Sequence, residues 1–202
     1  MNTPIYITSV FADVAVYASR VSKFTQHDWK VYIAWVGLML GLLFFVCGFI
    51  CFGWSNGVDY PIYVWNIPVG IAIFIMAISF DTIGHLTVYK QELAKAEGLV
   101  HSITIFAGVT STIMLCLAYF YPEFLRIPTF VMLALSIFYS VIDEGLHWHR
   151  YLNLKSDRVE MVSHFFIFIG HLIMILSWWQ WFALGYPGVR QTVELILDKL
   201  GA

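Results

Sequence analysis

Apolar residues fall in five long blocks, each separated from the next by a short polar segment: 29–52, 64–89, 96–120, 127–148 and 159–182. A helix rises about 1.5 Å per residue and needs about 20 apolar residues to cross a hydrocarbon layer of about 30 Å. The blocks therefore predict an all-α, polytopic membrane helical bundle with five transmembrane helices. The segment 53–63 carries the turn signals Asn56-Gly57 and Pro61, and 121–126 carries Pro122. Connections this short leave successive helices antiparallel and adjacent, and four of the five are expected to form an up-down bundle.

The chain ends read differently. Residues 6–24 mix Val, Phe and Tyr with scattered charge, and Val189, Val193, Ile196 and Leu200 recur at helical intervals. Each end is expected either to lie along a membrane surface or to dock as a helix on the bundle. The whole of 1–202 is expected to form one membrane domain: an interfacial segment 1–28, the five-span bundle 29–182 and an amphipathic tail 183–202.

Composition agrees with this pattern. The chain is 60% hydrophobic and 12% charged, with a mean hydropathy of +0.77; a soluble domain is about half apolar and a quarter charged. A net charge of −2 argues against a nucleic-acid partner, which usually requires a clustered basic surface. Cys47, Cys51 and Cys116 all lie in apolar blocks and form no CxxC pair, so no disulfide framework is expected. Asp13, Arg20, Lys23 and Asp28 interrupt the first 28 residues, and no cleavable signal peptide is expected there.

Charge distribution predicts orientation. Arg20, Lys23, Lys30, Lys90, Lys95, Arg150, Lys155 and Arg158 fall on one side of the predicted bundle, against Arg126, Arg190 and Lys199 on the other. The positive-inside rule places the N-terminus in the cytoplasm and the C-terminus outside. The tryptophans follow the same boundaries: Trp54, Trp65, Trp178, Trp179 and Trp181 at the outer ends, Trp29 and Trp148 at the inner ends.

Ionisable residues inside a span are costly and usually mark function. Here they repeat with one spacing. Asp81 precedes His85 by four residues, Glu97 precedes His101 by four, Glu144 precedes His147 by three, and Glu160 precedes His164 by four. Residues at i and i+3 or i+4 share a helix face, so each pair can aim a carboxylate and an imidazole at one point. The topology puts all four pairs at the cytoplasmic ends of their helices. Carboxylates supply anionic oxygens that bridge cations, and neutral imidazole supplies nitrogen. Asp81, His85, Glu97, His101, Glu144, His147, Glu160 and His164 are therefore the expected ligands of two divalent metal ions.

Asp143 shares a face with His147 and is expected either to join the ligands or to act as an acid or base beside them. His149 lies about 200° around the helix from His147 and is expected to point away. His171 shares the face of His164 about 10 Å further along and is expected to line a substrate tunnel, serve a second site or bond between helices. Gly84, Gly98 and Gly145 each lie between a carboxylate and its histidine, where small residues would let helices approach closely.

Glu144-Gly-Leu-His147, with single carboxylates on other helices, resembles the Glu-x-x-His arrangement of carboxylate/histidine di-iron four-helix bundles, here in membrane-embedded form. The likeness covers roughly 81–171 and departs from the pattern in having one such motif, i+4 spacing elsewhere and more histidine. The His-x-x-x-His and His-x-x-His-His boxes of membrane desaturases are absent. The resemblance implies an iron-dependent oxidoreductase using oxygen on an acyl chain, quinol or isoprenoid, with an electron donor as a further partner. Zinc or manganese in place of iron, a zinc hydrolase of a lipid amide or ester, and a b-type cytochrome remain open alternatives.

Overall fold

The computed structural model describes residues 7–88, 95–154 and 157–201, without the side chains of 7–10, 95–97 and 154. Every regular element among them is helical: α1 (Ile7–Ser19), α2 (Gln26–Ser55), α3 (Asn66–Thr87), α4 (Lys95–Leu117), α5 (Pro122–Leu154), α6 (Arg158–Ala183) and α7 (Val189–Leu200). Five of these, α2 to α6, are long and apolar enough to cross a membrane. Large apolar side chains such as Phe44, Phe45, Phe124 and Phe138 point outward from them, as expected where the surroundings are hydrocarbon rather than water.

Local chemistry sets the helix ends. Thr25 and Asp28 form a reciprocal capping box at the start of α2. That helix stops at Asn56, before Gly57 at φ +89°, a conformation that glycine adopts without steric cost. Asp157 caps α6 by accepting from the Val159 amide at 3.0 Å. The same carboxylate takes a 2.8 Å hydrogen bond from Arg20, which fastens the segment after α1 to the start of α6. α5 extends beyond its apolar block at both ends. Pro122 opens it, at a position where a missing N–H costs nothing, and the polar stretch after Trp148 continues as helix to Leu154. Its 33 residues make a rod of about 50 Å, longer than a hydrocarbon layer is thick.

Packing departs from a simple up-down order. α3 packs chiefly on α6, and α4 chiefly on α5; α5 and α6 join the two pairs, while α2 packs on α3. Successive α3 and α4 make no backbone contact among the described residues. The physical reason for the α3–α6 pairing is a glycine contact. A Cβ placed on Gly70 would lie 2.5 Å from the Met174 nitrogen, and one on Gly170 would lie 2.6 Å from the Phe74 nitrogen. Only bare backbones approach so closely. Gly98 and Gly145, by contrast, have open space where a Cβ would be.

Both chain ends dock on the bundle. Tyr17 of α1 is buried with Ile83 and Val159, and α7 lies against α2, where the buried Thr192 hydroxyl pairs with that of Tyr60. The main apolar core, which includes Ile50, Ile67, Ile71, Leu115 and Ile175, fills the half of the bundle near α7. The buried carboxylates occupy the other half.

Candidate metal centre

The last turns of α3 and α5 and the first turns of α4 and α6 meet at one end of the bundle. Asp143, near the end of α5, is at the centre of what they bring together. Its Oδ2 lies 3.0 Å from His101 Nδ1 on α4 and 3.5 Å from His164 Nε2 on α6. Its Oδ1 lies 4.0 Å from His147 Nε2, one helical turn further along α5. Ligand atoms of His101, Asp143, His147 and His164 all fall within 4.8 Å of one another, a group that could hold a metal ion.

The carboxylates expected as ligands on α5 and α6 lie on the far side of these imidazoles. Glu144 Oε2 bonds His164 Nδ1 at 2.8 Å, and Glu160 Oε1 lies 3.3 Å from His147 Nδ1. Glu144 thus holds the outer nitrogen of a ring whose Nε2 faces Asp143, and Glu160 lies beside the outer nitrogen of another. Such a partner fixes the orientation of a metal-binding imidazole and raises its basicity. Arg150 supplies the fixed positive charge. It bonds Glu160 and approaches His147 Nδ1 at 2.9 Å. The i+3 offset of Arg150 from His147 on a continuing helix is the sequence signal that ties it to the site.

Asp81 and His85 form an adjacent pair on α3, with Asp81 Oδ2 3.5 Å from His85 Nε2. The His85 ring lies 5.0 Å from that of His101, centroid to centroid. Glu97 falls on the first turn of α4, and its side chain lies outside the described residues. His149 points to the exterior, where Asn153 bonds it at 3.1 Å. His171 is buried deeper in the bundle, bonded through Nε2 to Ser136 at 3.1 Å.

Among the described residues, buried carboxylates gather here around one guanidinium. Asp81, Asp143, Glu144 and Glu160 are all buried, and Arg150 is the guanidinium among them. Asp81 Oδ1, Asp143 Oδ1 and Glu144 Oε1 are buried with no hydrogen-bond partner among the described residues. An orphaned carboxylate oxygen in a low-dielectric interior is expensive. A bound cation is the direct remedy, and three imidazoles and a carboxylate converging on one point are the donors it needs.

The centre opens on a cavity of about 920 Å³ that runs along the bundle between α2, α3, α4 and α6. His85, His101, Asp143 and His164 line one end; Phe45, Phe74 and Ile113 are among the apolar residues that line the rest.

Compared with protein-family models, curated proteins and solved structures, the chain has no significant match.

Proposed function

We propose that this chain is a membrane-embedded, metal-dependent oxidoreductase that uses oxygen to oxidise a lipid-soluble substrate. The observation that carries the reading is the junction of the His101–Asp143–His147–His164 group with a large apolar cavity. In this reading the site holds two divalent ions, iron ahead of zinc or manganese. One ion takes the four-residue group, and the second draws on the neighbouring Asp81 and His85. Bound metal supplies the redox chemistry with oxygen. Asp143 and the imidazoles hold it, while Glu144, Glu160 and Arg150 orient the rings. The apolar walls exclude water and accept hydrocarbon. An electron donor approaches from the face that carries the connections after α3 and α5, which the excess of Lys and Arg assigns to the cytoplasm.

A second reading has its own support. Three imidazoles and one carboxylate around a single point also suit one zinc ion, which would lower the pKa of bound water for hydrolysis of a lipid amide or ester. A haem clamp, which would draw on His85, His101, His164 and His171, is less suited, because carboxylates pair with three of these rings: Asp81 with His85, Asp143 with His101 and Glu144 with His164.

Elemental analysis of full-length protein purified without added metal tests these readings. Two iron atoms per chain, with an iron-dependent optical or Mössbauer signal, is the expected result. Zinc alone would move the assignment to the hydrolase. No stoichiometric metal would end both.

A further inference from the structure

The cavity has a direction. Along α4 it reaches from His101 to Cys116, and along α3 from His85 back to Ile71. Those spans of 15 and 14 residues correspond to about 22 Å and about 21 Å at about 1.5 Å per residue. This is about two thirds of a hydrocarbon layer of about 30 Å. All of its acidic residues lie at the metal-centre end. Several polar groups of the wall are engaged within the chain. Thr82, Thr104 and Thr112 donate to carbonyls of their own helices, and His171 pairs with Ser136. The wall beyond the centre therefore presents an apolar surface.

The cavity also has a side door. α2 and α4 form facing walls but make no backbone contact among the described residues. Leu38 and Phe45 on one wall, and Ile105 and Ile113 on the other, both line the cavity and are exposed to the exterior. In a bilayer that exterior is hydrocarbon at the depth of the spans.

From this polarity and shape we infer that the cavity binds a single-tailed lipid amphiphile. It enters sideways between α2 and α4 and lies with its polar head at His101, Asp143 and His164 and its tail toward Cys116 and Met174. The substrate is thus held head-first, so the bonds that react lie at or next to the head group and not in mid-chain. Binding stands on the cavity alone; the position of the reacting bonds rests on the oxidoreductase reading above. A long-chain fatty acid and a quinone with an isoprenoid tail share the required chemistry.

Photolabelling of the full-length protein in lipid nanodiscs tests the orientation. Two fatty-acid probes are used, one with a diazirine at the terminal carbon and one with it beside the carboxyl, and adducts are mapped by mass spectrometry. The terminal probe is expected to label around Cys116 and Met174, and the head-proximal probe around His85 and Thr104. Val109→Trp on one wall, or Leu42→Trp on the other, fills the middle of the cavity and is expected to cut terminal labelling at least tenfold. Using both variants guards against one that fails to fold. Competition by unlabelled fatty acid alone assigns an acyl ligand, and competition by the quinone alone assigns an isoprenoid one. Competition by neither, a reversed or identical pattern for the two probes, or unchanged labelling in both filled variants would overturn the inference. In chelator-stripped protein the terminal probe is expected to keep its position at Cys116 and Met174, set by the apolar walls, while the carboxylate probes bind more weakly because Asp81 and Asp143 then repel the head group. Ordered labelling in protein that never contains metal would sink the oxidoreductase reading and leave the binding site standing.

Discussion

The imidazole rings of His147 and His164 stack face to face, with centroids 3.4 Å apart and planes inclined by 20°, although successive helices carry them. Two imidazolium ions at that separation would repel by about 5 kcal/mol at an effective dielectric of about 20. Two neutral rings donating their Nε2 atoms toward one cation would not. Their outer nitrogens meet different groups: His147 Nδ1 lies 2.9 Å from Arg150 and 3.3 Å from Glu160, and His164 Nδ1 bonds Glu144 at 2.8 Å.

This arrangement separates two classes of variant. Asp143→Asn and His147→Ala remove groups from the centre and are expected to abolish stoichiometric metal. Glu144→Gln and Glu160→Gln keep the shape of the outer partners and remove their charge. Each is expected to weaken metal affinity about 10–100-fold, the usual cost of losing such a partner. Metal titration of the stripped proteins measures both. If Glu144→Gln abolished binding as fully as His147→Ala, Glu144 would belong with the ligands.

Arg150 allows a comparison of two ion pairs. Glu160 and its partner Arg150 are nearly inaccessible, at 2% and 11% side-chain exposure, whereas Arg20 and Asp157 retain 24% and 26%. Removing one member of a buried pair strands a charge and costs about 3–5 kcal/mol. An exposed pair is worth about 0–1 kcal/mol. Arg150→Ala should therefore destabilise the detergent-solubilised protein far more than Arg20→Ala in denaturant unfolding. Equal losses would show that Arg150 does not neutralise Glu160.

The i+3 and i+4 spacings identify helix ends that meet in the structure, because a helix face is a local property. They were a poorer guide to which atom faces the centre. Glu144 and Asp143 are neighbours in sequence, yet Asp143 faces the converging rings and Glu144 reaches the outer nitrogen of His164. That choice depends on how α5 is rotated against α6, which no single helix encodes. The pairing of α3 with α6 was equally hidden, since Gly70 and Gly170 are a hundred residues apart. The five apolar blocks needed no such information, and their positions match the observed helices to within a few residues, except at the two ends of α5.

The glycine contact carries a prediction of its own. Gly170→Leu places side-chain atoms where the Phe74 backbone lies, so α3 and α6 must separate. Overpacking costs about 1–3 kcal/mol even where side chains alone must give way, so a loss at or above that range is expected. Gly145 has nothing within 4 Å of its Cβ direction. Gly145→Ala should be neutral or stabilise by up to about 1 kcal/mol, because alanine is the better helix former. Thermal unfolding of the two variants beside the parent settles the ranking, and a milder effect at Gly170 than at Gly145 would refute the close approach.

Tyrosines outside the spans make the far end of the bundle sensitive to alkali. Burial raises the hydroxyl pKa of Tyr60 above its ordinary value of 10.0, against the smaller opposing effect of its hydrogen bond with Thr192. Burial likewise raises that of Tyr186, whose hydroxyl donates to the Leu115 carbonyl. For an acid whose pKa is higher in the folded state, the unfolded chain loses its proton first. Ionisation of the unfolded chain then pulls the equilibrium toward unfolding. The stability these groups contribute is therefore complete below about pH 10 and is lost progressively as pH rises from there toward their folded values. Tyr60→Phe and Tyr186→Phe remove the titrating hydroxyls. Each gives up a hydrogen bond worth about 0.5–1.5 kcal/mol at neutral pH, and each should flatten the alkaline fall in stability relative to the parent. Unfolding midpoints measured between about pH 8 and pH 11 test this. Parallel curves for the parent and the double variant Tyr60→Phe/Tyr186→Phe would show that these hydroxyls do not govern the alkaline limb.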